Sequence, residues 1–360
     1  MNEGTDHRSR PRYTLVETEH GHLLGVCSVV EGLFTDPGPA TYELFGWASD
    51  GSGPRGWIGS RVWLVPDDDA LDAWRLDDAA LVDHGPSADT LVLTGVDDHM
   101  GPPEGHRGTV RVHDESRWLG SCREFARVPR SERPLPPLVL RGLAPTDELR
   151  AVLAKGTRLA RDLDEVLLEI RDDRGELLAA PTLWTTVQAW RPSARGADLI
   201  DLELARYHTL VPEHARPVWE EWFGGSPHTP NTWAGLDTRL REAWFDLVRH
   251  RACIRRHSDR PPGHAYEIDG RHATDEQGLY LALGEAVNGP GGYFGGDPQA
   301  LRDCLGGTFG YTRPATLLWR DADTARTHLS HALSPDGRPY DFFAEVLDVL
   351  AAGGMHVTLA

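Results

Sequence analysis

From Tyr13 onward the apolar positions come in short runs broken by Gly, Pro and Asp. Tyr13–Val16, Leu23–Val26, Tyr42–Trp47, Arg61–Val65, Leu91–Leu93 and Thr109–His113 are each long enough for one strand and too short for a helix, which predicts an antiparallel β-rich region over residues 13–128. The tetrads Leu24-Gly25-Val26-Cys27 and Leu119-Gly120-Ser121-Cys122 echo each other, but one tetrad does not define a repeat. Past a proline-rich joint at Pro129–Pro137 the period changes. Thr146 caps a helix running to Ala154, and Val166–Ile170 with Glu176–Ala179 reads as a hairpin turning at Asp172–Gly175. Strands follow at Trp184–Trp190 and Leu199–Ala205, then helices at Pro217–Phe223 and Leu240–Arg249. The second helix gathers Leu240, Trp244, Leu247 and Val248 on one face. Residues 138–257 thus form an α+β middle region, closed by a linker at Ser258–Gly263.

From residue 264 to 360 strands alternate with helices. Ala265–Ile268 is a strand, Thr274-x-x-Gln277 a capping box for a helix to about Val287, and Ala315–Trp319 an apolar run suited to a buried parallel strand. A helix or turn covers roughly 323–332. Asp341–Ala352 is a helix with Phe342, Val346, Leu347 and Leu350 inward, and Met355–Leu359 is the last strand. Such alternation implies a small parallel sheet with packed helices. The fold class is therefore α+β multidomain: a β-rich region, an α+β region and a C-terminal α/β domain.

One stretch carries chemistry. Gly291-Gly292-Tyr293-Phe294-Gly295-Gly296 runs into a short helix capped by Asp297, with Pro298 at the first helical position and Gly306-Gly307 as the stop. Leu301, Cys304 and Leu305 form its apolar face, with Gln299, Arg302, Asp303 and Gly306 opposite. Loop and helix would together present Tyr293, a glycine backbone and Asp303 to a partner.

Composition narrows the partner. The chain of 360 residues has a net charge of −18, which opposes direct nucleic-acid binding and favours a basic protein. A 40% hydrophobic content and twelve Trp spread along the chain suit packed domains. No apolar run approaches a membrane span and the N-terminus lacks the core of a signal peptide, so a cytoplasmic protein away from membranes is expected. Cys27, Cys122, Cys253 and Cys304 are widely spaced, as expected of buried reduced thiols.

The last hundred residues resemble the barstar family of intracellular barnase inhibitors. The resemblance rests on Tyr293-Phe294-Gly295, on Ala300-Leu301-Arg302-Asp303-Cys304-Leu305-Gly306-Gly307, and on Ala315–Trp319. Ile268-Asp269-Gly270 and the closing Gly354–Leu359 support it. The resemblance implies an immunity-type protein that plugs the active site of a secreted or intracellular barnase-type ribonuclease, without catalysis. Asp303 matches the family's carboxylate that takes the place of the substrate phosphate. Tyr293 matches a contact tyrosine, with Phe294 beside it, and Gly295 and Gly307 match glycines of close approach. Three positions depart from the family: Arg302 replaces an aromatic contact, Gln299 replaces an acid, and the contact acid of the last long helix falls near Val349, with Asp348 beside it. The alternative reading is a regulatory or scaffold protein whose barstar-like domain binds a non-nuclease partner. Residues 261–360 still carry 13 acidic residues against six arginines, a net of −7.

Other constellations are weaker. His250-x-x-Cys253-x-x-x-His257 has metal-ligand spacing but sits among arginines, and no second cysteine pair exists. Asp97-Asp98-His99 with His106, and Asp67-Asp68-Asp69, read as polar loops. No nucleophile elbow, Walker loop, zinc-protease or dinucleotide motif occurs, so no enzyme, metal or cofactor is expected.

Overall fold

The computed structural model describes residues 11–360 apart from 37, 52–55, 69, 83–89, 98–99, 104, 130–134, 156–161, 208–209 and 256. The centre of the Pro129–Pro137 joint, the first ten residues, and Asp69, Asp98 and His99 lie outside the described residues.

The chain opens with β1 (Tyr13–Glu17), β2 (Leu23–Cys27), β3 (Val29–Glu31), β4 (Ala40–Phe45) and β5 (Ala48–Ser49). Then come β6 (Gly56–Pro66), β7 (Trp74–Val82), β8 (Thr90–Val96), β9 (Val110–His113), β10 (Trp118–Cys122) and β11 (Glu124–Arg127). The middle holds β12 (Leu138–Pro145), α1 (Asp147–Lys155), β13 (Asp162–Arg171), β14 (Leu177–Ala179), β15 (Thr182–Pro192), β16 (Ile200–Leu204), α2 (Arg216–Phe223) and α3 (Thr238–Ile254). The rest is β17 (Ala265–Asp269), α4 (Glu276–Asn288), α5 (Pro298–Leu305), β18 (Ala315–Arg320), α6 (Ala322–Leu329), β19 (Ala332–Leu333), β20 (Pro339–Tyr340), α7 (Phe342–Ala352) and β21 (Met355–Leu359). The α3 helix extends well past the predicted Arg249.

These elements form two compact units. One comprises Met1–Pro37, Arg133–His228 and Asp246–Arg255; the other comprises Gly38–Glu132, Thr229–Phe245 and Arg256–Ala360. The contiguous domains predicted at 13–128, 138–257 and 264–360 do not coincide with them. The reason is strand pairing at long range. In the first unit β1 pairs with β2 and β13, and β2 and β3 pair with β12. The pairings of β12 with β16, β16 with β15 and β15 with β13 close a six-stranded antiparallel barrel. Its inward positions Leu15, Leu140, Leu168, Leu202 and Leu204 are fully buried. Each such side chain contributes about 1.5–3 kcal/mol relative to exposure.

The second unit holds a barrel of the same connectivity, built wholly from residues 40–127. β4 pairs with β8, β8 with β7, β7 with β6, β6 with β9 and β9 with β10. One ladder running β10 against β5 and β11 against β4 closes the ring, with the Arg123 N–H donating to the Phe45 carbonyl at 2.9 Å.

The two barrels correspond residue by residue. Leu15 faces Gly25 and Val16 faces Leu23 across a bulge; Val112 faces Gly120 and His113 faces Trp118 across the same bulge. Val26 faces Ala144, and Ser121 faces Ala48. Gly142 and Gly46 bend the equivalent strands at φ 65° and 64°, each beneath an arginine side chain. Asp172 and Asp68 each make the same turn, accepting the N–H two residues on at 2.9 and 3.0 Å. The echoed tetrads are thus one part of a duplication, with residues 13–96 and 110–204 as its copies. Each copy gives its first hairpin to the barrel formed by the other copy's last four strands, a strand exchange within one chain.

The remainder of the second unit includes a three-stranded parallel sheet, β17-β18-β21, in which Leu317 lies between Tyr266 and Val357. Helices α4, α5, α6 and α7 accompany it, with Leu279, Leu283, Leu301, Val346 and Leu350 buried. The α4 cap differs from the prediction: Asp275, not Thr274, accepts the Gly278 N–H at 2.7 Å, while Thr274 accepts from Arg241. Leu347 is half-buried and Val349 takes the inward position. Three thiols are buried as expected; Cys253 is exposed. No helix among the described residues is long and apolar enough to cross a membrane.

Candidate functional site

The site begins where α4 ends. Gly284 and Gly292 bring the loop backbone onto that helix: a Cβ on Gly284 would fall 2.2 Å from the Gly292 carbonyl oxygen. Asn288 then ties both ends of the segment, its Nδ2 donating to the Tyr293 carbonyl at 2.8 Å and to the Phe309 carbonyl at 2.9 Å. The Asp259 carboxylate accepts from the Thr308 and Gly310 N–H groups at 3.0 and 2.9 Å, fixing the exit from α5. Sequence reading missed both Asn288 and Asp259. Each is a single polar residue whose partners are backbone groups distant in sequence.

The α5 helix is held as predicted. Asp297 accepts the Ala300 N–H at 2.7 Å, Pro298 opens the helix, and Leu301, Cys304 and Leu305 are buried. Burial pushes the Cys304 thiol up to about 12, so it remains an inert packing group. Gln299, Arg302, Asp303 and Gly306 are exposed. The Gln299 Nε2 donates to Asp303 Oδ1 at 3.2 Å, holding the carboxylate along the helix face. Arg302 reaches Glu345 of α7 at 3.8 Å, and Asp348 lies exposed on that helix. Arg302 is thus partly neutralised, and acidic groups dominate the surface around Asp303.

The loop departs from expectation. Phe294 is fully buried, edge-on to Tyr311 at 5.9 Å, so it supports the loop from within. Gly295 is buried with φ 90°, and Gly307 is half-buried. Tyr293 is half-buried between Phe245 and Phe309, with ring centroids 6.1 and 6.3 Å away. Phe245 also lies against Gly296. The structure brings Gln299, Arg302 and Asp303 together on one open face. It leaves Tyr293 with only part of its ring exposed.

A cavity of about 500 Å³ lies elsewhere in this unit, lined by Trp57, Arg61, Glu115, Glu276, Tyr340 and Phe342 among others. Arg61 pairs with Glu276 and reaches Glu115 at 3.4 Å. Both carboxylates share this one cation. Burial raises the Glu276 carboxyl to about 7, Arg61 opposing and Glu115 and Asp297 reinforcing the shift. A carboxyl with a raised pKa holds its proton more tightly in the folded state. Its contribution is therefore largest below the ordinary value of 4.5 and is lost as pH rises through about 7. Chemical denaturation of the wild type and of Glu276→Gln should show the wild type losing on the order of 1–3 kcal/mol relative to the variant between pH 5 and 8. Parallel pH profiles would show that the shift is absent.

Among the described residues, the grouping with metal-ligand proximity is Glu17, Glu19 and His20, and it is not enclosed. The His250 side chain bonds to the Asp246 carbonyl of its own helix at 2.7 Å.

No curated protein and no solved structure matches the chain. Residues 263–335, which hold α4, the loop, α5, β18 and α6, match the family model described as Barstar (barnase inhibitor), and the C-terminal region of this chain is a barstar-family domain.

Proposed function

We propose that the chain inhibits a barnase-type ribonuclease stoichiometrically, as an immunity-type protein in the cytoplasm of the producing cell. The observation that carries this reading is Asp303, exposed on a capped and well-packed helix inside the barstar-family region. A carboxylate offered on a preformed scaffold enters a cationic, water-excluding cleft without first being ordered, so little of the interaction is lost to entropy. Gln299, Arg302, Gly307, Asp348 and the exposed part of Tyr293 would complete the contact. The acid balance of the domain adds electrostatic steering. Titrating the activity of a barnase-type ribonuclease with the full chain tests the reading. One-to-one loss of activity supports it, and undiminished activity at saturating protein refutes it.

A second reading follows from the Phe245 contact with Tyr293 and from Arg302 in the place of an aromatic. Both narrow the face to α5 and would suit a non-nuclease partner for a regulatory or scaffold role. The same titration separates the two.

A further inference from the structure

The duplication makes the two barrels directly comparable, and one face differs between them. In the second unit, β6 and the β9–β10 turn carry the C-terminal domain. The Leu333 N–H donates to the Glu115 carbonyl at 2.6 Å, and His113 Nε2 lies 3.3 Å from the Pro335 carbonyl. The Trp118 ring lies over Gly337, where a Cβ would come within 2.2 Å of it. Arg61 pairs with Glu276. By strand register, the first barrel has Val16 at the place of His113, Leu23 at Trp118, Glu165 at Arg61 and Trp184 at Asp77. There Leu23 is 45% exposed and Trp184 is 58% exposed, among the largest apolar exposures of the described residues.

We propose that this face of the first barrel is a second docking surface, which holds a basic protein as the second barrel holds the C-terminal domain. The chemistry of the occupant follows from the substitutions. Where Arg61 meets a carboxylate, the first barrel offers Glu165, so the occupant supplies a cation. The β1–β2 turn adds Glu19, and Glu148 lies 3.5 Å from His22. Trp184 stands directly across from Glu165, and Leu23 lies three strands round the same face, so an exposed aromatic anchor adjoins the acidic groups. A second copy of the chain would bring the same acidic groups to the contact and be repelled. The basic nuclease of the function proposed above has the required charge; its choice as the probe rests on that reading.

The test is calorimetric titration of the full-length chain with a barnase-type ribonuclease, alongside sedimentation of the chain alone. The wild type should bind a second, salt-sensitive equivalent. Glu165→Arg combined with Trp184→Ala should weaken that equivalent at least tenfold, leave the first unchanged and keep the melting temperature. Asp303→Ala should weaken the first and keep the second. Loss of binding only in the Glu165 and Trp184 variant, with Asp303→Ala silent, would sustain the docking face and overturn the proposed plug. A single equivalent indifferent to Glu165 and Trp184, or no complex, overturns the docking face. So does a dimer of the chain alone that Trp184→Ala dissociates, which would give the face to a second copy.

Discussion

Replacing Asp303 by alanine is expected to weaken inhibition of a barnase-type ribonuclease by at least about thirtyfold while leaving the fold intact. The side chain is exposed and its single hydrogen bond comes from Gln299, so little native-state energy depends on it. In a complex the same carboxylate would be desolvated against cations, and removing one member of such a pair costs about 2–5 kcal/mol, mainly because the other charge is left buried and unpaired. Barstar's own interface aspartate is the established precedent for so large an effect of one truncated side chain. Inhibition constants for the wild type and Asp303→Ala, with thermal melts as control, decide the matter. Equal constants would remove Asp303 from the interface.

The opposite pattern is expected of its neighbour in the loop. Phe294→Ala should destabilise the second unit by about 3–5 kcal/mol, the usual cost of deleting a fully buried phenyl ring. The ring sits beneath the loop against Tyr311, and its removal leaves a cavity that the tied backbone of Asn288 and Asp259 cannot collapse into. Inhibition measured well below the melting transition should then fall much less than in Asp303→Ala. A variant with unaltered stability but abolished inhibition would restore Phe294 as a contact residue.

Much of this was legible because it is local. The cap at Asp297, the proline at 298, the apolar triad Leu301, Cys304 and Leu305 and the stop at Gly306 all act within ten residues, and each predicted role is met. Most predicted strands and helices of the barrels were legible for the same reason. Their partners were not. The pairing of Tyr13 with Ile170, or of Val26 with Ala144, depends on register, which side-chain alternation alone leaves open. The duplication was hidden likewise: Tyr13 corresponds to Val110 and Leu15 to Val112, similar in burial but not in identity, so only the Leu-Gly-x-Cys tetrads survived as a visible echo. The burial of Phe294 was missed because an aromatic in a glycine loop reads equally as anchor and as contact until Tyr311, distant along the chain, is placed against it.

The hairpin exchange also sets a timetable for synthesis. The β1–β2 hairpin is complete by residue 27, but strands β12 to β16, which it needs, end at Leu204. At ~5–20 residues per second the hairpin waits on the order of ten seconds or more. During that wait β4 to β8 emerge, and they present the edge that β9–β10 will later fill, in the same register. The nascent chain therefore meets a near-copy of its correct partner first and must give it up when the second hairpin arrives.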